Sequence, residues 1–333
     1  MNLLVTQIRE TARRLLEEGR VELVLGFEAG PVALRNAPCF VRRADEAGRL
    51  TWDRFCGLNL AVFLNGETRR VAVMAKGCDS RAILGLLKER RIVRDRLVIV
   101  GVPCEGMVDR AKVERLVGTT EIEAAHIEGE KIIAVGGGKT FEAPVEEVLR
   151  AACRECSAPT PVHYDLLLDV GQVADLSRLS DLSDPSDLSD LSDLSSQSQL
   201  GKPTLSPPAR WRRFEAEAAK CIRCYACRNV CPLCYCRECC ADQSDPRWIG
   251  ASPNPSNNAM YLLMRALHLA GRCVDCGACV EACPVGVNVR DLFKRLEREV
   301  RERFGYVAGA DPNQKPPLAS FSMADPEDYI TDV

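Results

Sequence analysis

Histidine is scarce: the 333 residues hold three, each isolated from the others. They nominate no catalytic dyad, and no residue of the chain is nominated as catalytic. A field of one sign is also missing, because 44 Lys and Arg against 47 Asp and Glu leave a formal charge of −3. Nucleic acid is therefore not expected as a partner. No run approaches the roughly 20 apolar residues that a membrane span needs. The opening stretch, "MNLLVTQIRETARRLLEEG", carries acids and bases from its first turns. It lacks the apolar core and small-residue cleavage site of a signal peptide. These absences point to a cytoplasmic chain with no membrane span, and the length suits two domains.

Cysteine, by contrast, is abundant. Eighteen in such a chain speak for metal or redox work rather than a disulfide framework. Eight of them crowd into "CIRCYACRNVCPLCYCRECC", residues 221–240.

The segments around them divide the chain. Residues 1–170 alternate helical periodicity ("QIRETARRLLEEG", "SRAILGLLKERR", "PVEEVLRAA") with short apolar runs ("VELVLGF", "LAVFL", "VAVMA", "LVIVGV") that read as buried strands. An α/β domain with a partly parallel sheet is expected there. Residues 171–208 contain a D-L-S repeat that cannot sustain a helical apolar stripe and reads as a disordered linker. Residues 209–305 hold three helix candidates, "WRRFEAEAAK", "AMYLLMRALHLAG" and "VRDLFKRLEREVRERFG", and read as a mostly helical second domain. The tail, 306–333, reads as irregular.

Cys221, Cys224, Cys227 and Cys231, followed by Pro232, read C-x2-C-x2-C-x3-C-P, and Cys273, Cys276, Cys279, Cys283 and Pro284 repeat it. This is the spelling of a two-cluster ferredoxin, in which the fourth cysteine of each motif serves the other cluster. Three cysteines two residues apart on a tight loop wrap three corners of a cubane, and the fourth lies too far along to close it. By that rule Cys221, Cys224, Cys227 and Cys283 hold one [4Fe–4S] cluster, and Cys273, Cys276, Cys279 and Cys231 the other. Zinc also takes C-x2-C pairs, but it wants two pairs rather than repeated triplets ending in C-P. Cys234, Cys236, Cys239 and Cys240 are expected to line the cluster pocket, with an additional metal as the alternative. The long, helix-containing connection between the motifs, with "HLAGRCVDCGACVEACP", resembles the α-helical ferredoxin domains of succinate dehydrogenase and heterodisulfide reductase iron–sulfur subunits.

Four more cysteines sit at suggestive places. Cys78 follows a strand in "VAVMAKGCDSRAI" and Cys104 another in "LVIVGVPCEGM", while Cys153 and Cys156 form a C-x2-C. Strand ends of α/β sheets are where ligands gather, and two such thiols with a C-x2-C supply the four ligands of a third cubane. Over roughly residues 60–165 this order resembles the beta subunits of coenzyme F420-reducing hydrogenase and formate dehydrogenase, which implies a [4Fe–4S] cluster on Cys78, Cys104, Cys153 and Cys156. The resemblance also implies FAD in members that reduce coenzyme F420. Those members carry Gly-rich segments on both sides of their cysteines, whereas here "VHYDLLLDVG" runs straight into the D-L-S repeat. "VGGGKT" has Ile133 where a phosphate loop needs Gly and reads as a hairpin turn. Cys39 and Cys56 read as small buried residues, and His163 at most as a neighbour of the C-x2-C site.

The expectation is an electron-transfer subunit that passes single electrons among its clusters and docked redox partners. Those partners would be heterodisulfide reductase-, hydrogenase- or formate dehydrogenase-like. The alternative is a flavin-containing oxidoreductase that itself reduces coenzyme F420 or another hydride carrier.

Overall fold

The computed structural model describes residues 3–168 and 206–319. The D-L-S repeat lies outside them.

The N-terminal part is built on a sheet whose strands are β1 (Leu23–Val32), β2 (Arg35–Val41), β3 (Leu50–Thr51), β4 (Val71–Ala75), β5 (Leu97–Gly101) and β9 (Leu166–Leu167), ordered β2-β1-β4-β5-β9 with β3 on β1. The pairs β1–β4, β4–β5 and β5–β9 are parallel, whereas β2 and β3 run antiparallel to β1. All five residues of β4 are buried, as an uninterrupted apolar run requires in a parallel strand covered on both faces. Helix α1 (Leu3–Glu17) turns Leu4, Ile8, Ala12 and Leu15 into the core at helical spacing. Helix α2 (Gly77–Lys88) leaves β4 after one residue, its first turn fixed by Asp79, which accepts the Lys76 N–H at 2.8 Å. After α3 (Arg110–Val117), strands β6 (Ile122–Glu128), β7 (Lys131–Gly136) and β8 (Lys139–Pro144) form a separate antiparallel meander. Gly137 and Gly138, both at positive φ, make its β7–β8 turn from the "VGGGKT" stretch.

Two local expectations fail for a physical reason. "LAVFL" is a 3-10 helix over Leu60–Phe63 rather than a strand. The N–H groups a ladder would use are taken by carboxamide and carboxylate: Leu60 N–H donates to Asp79 at 2.9 Å and Ala61 N–H to Asn59 at 3.1 Å. "PVEEVLRAA" breaks into α4 (Val145–Val148) and α5 (Ala151–Arg154). Leu149 is extended there and Arg150 N–H donates to Met107 O at 3.0 Å, outside any helix.

The C-terminal part is helical: α6 (Pro207–Lys220), α7 (Ala226–Asn229), α8 (Pro255–His268), α9 (Ala278–Glu281) and α10 (Arg290–Phe304). It packs on the α/β part through one continuous apolar core that joins Ile83 and Leu86 of α2 to Leu233, Leu269 and Val274. Polar contacts stitch the same seam. Arg150 pairs with Glu281 at 2.6 Å, Arg272 with Glu89 at 2.7 Å, and Arg290 with both Asp275 and Glu155. The chain beyond α10 returns over α2: Arg81 Nε donates to Ala308 O at 2.9 Å and Lys88 Nζ to Gln314 O at 2.7 Å.

Candidate iron–sulfur centres

The two C-x2-C-x2-C loops share one backbone design. Arg223 and Tyr225 in the first, and Asp275 and Gly277 in the second, occupy matching places and all have positive φ. These left-handed residues coil each loop tightly, and α7 or α9 follows at once. Glycine in the second loop has a further cause. A Cβ on Gly277 would lie 2.9 Å from the Ala152 Cβ, so the second loop sits hard against α5. Tyr225 has room, stacking edge-on against Tyr261 with ring centroids 5.3 Å apart.

Cys221, Cys224 and Cys227 line one cavity with Cys283, which comes from the second motif. Cys231 is absent from its lining and stands instead beside Cys234 and Arg265. Cys279 of the second motif lines the same cavity, so the two loops meet there. In the second loop Cys276 neighbours Cys273 and Cys279. In the α/β part Cys78, in the first turn of α2, neighbours Cys104, and Cys104 neighbours Cys153 and Cys156. Cys78 and Cys104 follow β4 and β5 at the C-terminal end of the parallel strands.

Among the described residues no three His, Cys, Asp or Glu side chains converge tightly enough for a single metal ion. A cubane asks for wider spacing, since its thiolates bind four different irons. The donor chemistry fits such a group. Backbone N–H groups two residues on turn back to sulfur at Cys221 (from Arg223, 3.4 Å), Cys156 (from Ala158, 3.4 Å), Cys104, Cys273 and Cys276. N–H groups aimed at sulfur stabilise thiolate and tune a cluster's potential.

Burial pushes the thiols up, Cys104 and Cys276 to about 11 and Cys273 and Cys279 to about 12. None would ionise readily alone, so a metal must displace the proton. Lys76 assists at the N-terminal site. It is 2% exposed, lies 2.9 Å from the Asp79 carboxylate and sits 4.6 Å from the Phe27 ring centroid. Burial opposes its charge, but Asp79, Cys78 and Cys104 together hold its pKa above the usual value. Sequence reading did not single out Lys76, although a lysine closing the run "VAVMAK" two residues before a cysteine was a visible signal. Arg81, Arg223 and Arg265, all at most 9% exposed, were missed in the same way.

The remaining cysteines divide. Cys234 lies against Cys231 and Arg265, lining the cluster region. Cys236, Cys239 and Cys240 are mutual neighbours and line a second cavity together with Cys234, Arg228, Arg265, His268 and Arg272. Cys39 and Cys56 are fully buried. His163 is buried beside Ala310 and Lys88 of the α2–tail contact, not at the C-x2-C site.

Residues 68–180 match the family described as the C terminus of the coenzyme F420 hydrogenase/dehydrogenase beta subunit, and residues 269–287 match the 4Fe-4S binding domain. The first match contains all four N-terminal cysteines and the second contains Cys273, Cys276, Cys279 and Cys283. The F420-dependent formate dehydrogenase subunit beta of Methanocaldococcus jannaschii is 24% identical over 91% of this chain and 91% of its own length. The F420-dependent formate dehydrogenase 1 subunit beta of Methanococcus maripaludis is likewise 24% identical, over 91% of this chain and 90% of its own. A chain of the F420-reducing [NiFe] hydrogenase complex from Methanosarcina barkeri aligns with 50% of this chain and 66% of its own, at 14% identity and a TM-score of 0.35. No helix among the described residues is long and apolar enough to cross a membrane. The chain is an iron–sulfur protein with a helical 4Fe-4S ferredoxin domain, preceded by a region similar to the C terminus of the coenzyme F420 hydrogenase/dehydrogenase beta subunits.

Proposed function

We propose that this chain is the electron-relay subunit of a formate dehydrogenase-like redox complex, moving single electrons along three [4Fe–4S] clusters. Cys221, Cys224, Cys227 and Cys283 would hold the first, Cys273, Cys276, Cys279 and Cys231 the second, and Cys78, Cys104, Cys153 and Cys156 the third. The observation that carries this reading is the contiguity of the three sets. Cys279 neighbours Cys227, and Cys78 neighbours Cys276 across the seam. The second set thus stands next to both the first and the third. When bound, the clusters supply one-electron storage and exchange. The chain's own residues fix the spacing through the packed seam, exclude water by burial and aim N–H groups at sulfur. The units in this reading are 1–170, the linker 171–208, the ferredoxin part 209–305 and the tail, and the location is cytoplasmic. Substrate chemistry belongs to a partner subunit, as the relatives' names as subunits of formate dehydrogenase support.

The test is iron content after anaerobic reconstitution of the full chain. About twelve irons per chain are expected for three filled sites, and Cys104→Ala should remove about four while the rest stay. Stoichiometric zinc, or full iron retention in Cys104→Ala, would sink the relay of three.

A second reading has one observation behind it, the "F420-dependent" in both relatives' names. Exchange with a hydride carrier moves two electrons at once, so a flavin would have to stand between carrier and clusters. The strand-end glycines do not fit that group. A Cβ on Gly77 would lie 1.8 Å from Ala158 O, and one on Gly101 would meet Tyr164 at 3.1 Å, so both face packed chain rather than an open cradle. Flavin released on acid denaturation would establish this reading.

A further inference from the structure

A cation taken out of water normally has a carboxylate beside it. Arg290 has Asp275 and Glu155, and Arg150 has Glu281. Arg265 on α8 is different. It is 5% exposed, and the groups that hold its charge are sulfurs: Cys227, Cys234, Cys231 and Cys279. Burial acts against its charge, and these sulfurs outweigh that. One N–H is committed, Nη2 donating to Cys227 O at 2.7 Å, and the Phe293 ring centroid lies 5.1 Å from the guanidinium carbon. Nε and Nη1 are buried with no hydrogen-bond partner. Cys234 lies against the guanidinium, yet no aligned bond reaches either nitrogen.

Two charged N–H groups with nothing to donate to are strongly unfavourable in a buried site unless an acceptor fills the adjoining space. The neighbouring sulfurs name that acceptor, because they belong to two different sets. Cys227 is a ligand of the first cluster, and Cys231 and Cys279 are ligands of the second. We propose that Arg265 is the shared counter-ion and N–H···S donor of both ferredoxin clusters and raises their reduction potentials together. The proposal rests on the reading that both clusters are present. A cubane on four thiolates is anionic and gains a further negative charge on reduction. A fixed cation in a low-dielectric position therefore favours the reduced state of each. Arg223 and Arg81 also keep buried N–H groups unspent, but Arg223 lines the first set's cavity and Arg81 stands beside Cys156. Arg265 lies within electrostatic reach of sulfurs of both sets, so it acts as a positioning and tuning residue for the pair.

The experiment compares the full-length chain with Arg265→Gln and Arg265→Lys after anaerobic reconstitution, by iron analysis and potentiometric EPR titration. Wild type should load about eight irons or more in paramagnetic clusters when reduced. Fewer would sink the underlying cluster reading, and the proposal with it. In Arg265→Gln both ferredoxin couples should shift about tenfold toward the oxidised state, which for one electron is about 59 mV lower. Arg265→Lys keeps the charge but loses the fork that reaches both clusters, so its midpoints should fall between. Unchanged midpoints in a loaded variant, or movement of one couple alone, would overturn the proposal. If the glutamine variant loses its iron, the lysine variant decides. Iron retained with lowered midpoints supports a counter-ion, whereas iron lost from both variants marks Arg265 as a structural strut.

Discussion

Replacing Gly277 by alanine should loosen the seam between the second cluster loop and the α/β part. Two costs add. The residue sits at φ +73, and its new Cβ would lie 2.9 Å from the Ala152 Cβ. A left-handed L-residue costs roughly 1–2 kcal/mol, and overpacking a filled contact adds about 1–3 kcal/mol. The matching residue of the first loop, Tyr225 at φ 61, shows that the backbone conformation alone is tolerated. The contact with α5 is therefore the decisive term. Since about 1.4 kcal/mol is tenfold, amide exchange over residues 151–155 in the iron-loaded chain should speed up roughly 30-fold to several thousand-fold. Adding Ala152→Gly should return the overpacking part, leaving the left-handed strain plus up to about 1 kcal/mol for glycine in a short helix. Unchanged exchange in Gly277→Ala would refute the close approach. A double variant that exchanges as fast as the single one would assign the whole effect to φ.

Two further outcomes are expected. Crossed ligation predicts that Cys283→Ala removes about four irons, after which Cys221→Ser costs no more iron while Cys273→Ser does; the opposite pattern would show uncrossed loops. His163 is held below its usual pKa by burial, against a backbone interaction with Ala310 that raises it. The detached side chain then binds a proton near its ordinary pKa of about 6.5 while the packed one does not. The contact with the tail is fully present above that pH and weakens as pH falls below it. Intrinsic-rate-corrected exchange of residues 308–314 should rise between about pH 7.5 and about pH 5.5, and His163→Phe should flatten the change.

The parts legible in the sequence were those whose cause is local. Helices α1, α6, α8 and α10 follow from apolar spacing, and β4 and β5 from uninterrupted apolar runs between polar turns. "LAVFL" looked the same as those runs but lost its ladder partners to Asn59 and Asp79, and side-chain competition of that kind leaves no periodic signal. Arg265 was hidden similarly. It lies on the apolar face of "AMYLLMRALHLAG" with Tyr261 and Leu262, a place where an unpaired charge is anomalous, but only the opposing cysteines give it a reason.

The sequence by itself determined the two cluster loops, because their three cysteines, their left-handed positions and the turns between them lie within a few bonds of one another. It also determined the order of the four N-terminal cysteines along the chain. Only the tertiary structure decided which distant sulfurs lie near one another: Cys283 beside the first loop, Cys104 near Cys153 and Cys156, and Cys276 near Cys78. Spacing along a chain constrains only what a short backbone segment can reach. Bringing thiols from the segments that follow β4 and β5, from Cys153 and Cys156 and from two separate loops near one another needs the parallel sheet to set its strand ends side by side. It also needs a buried seam, with Gly277 against Ala152 and Arg290 between Asp275 and Glu155, to hold the helical part against them.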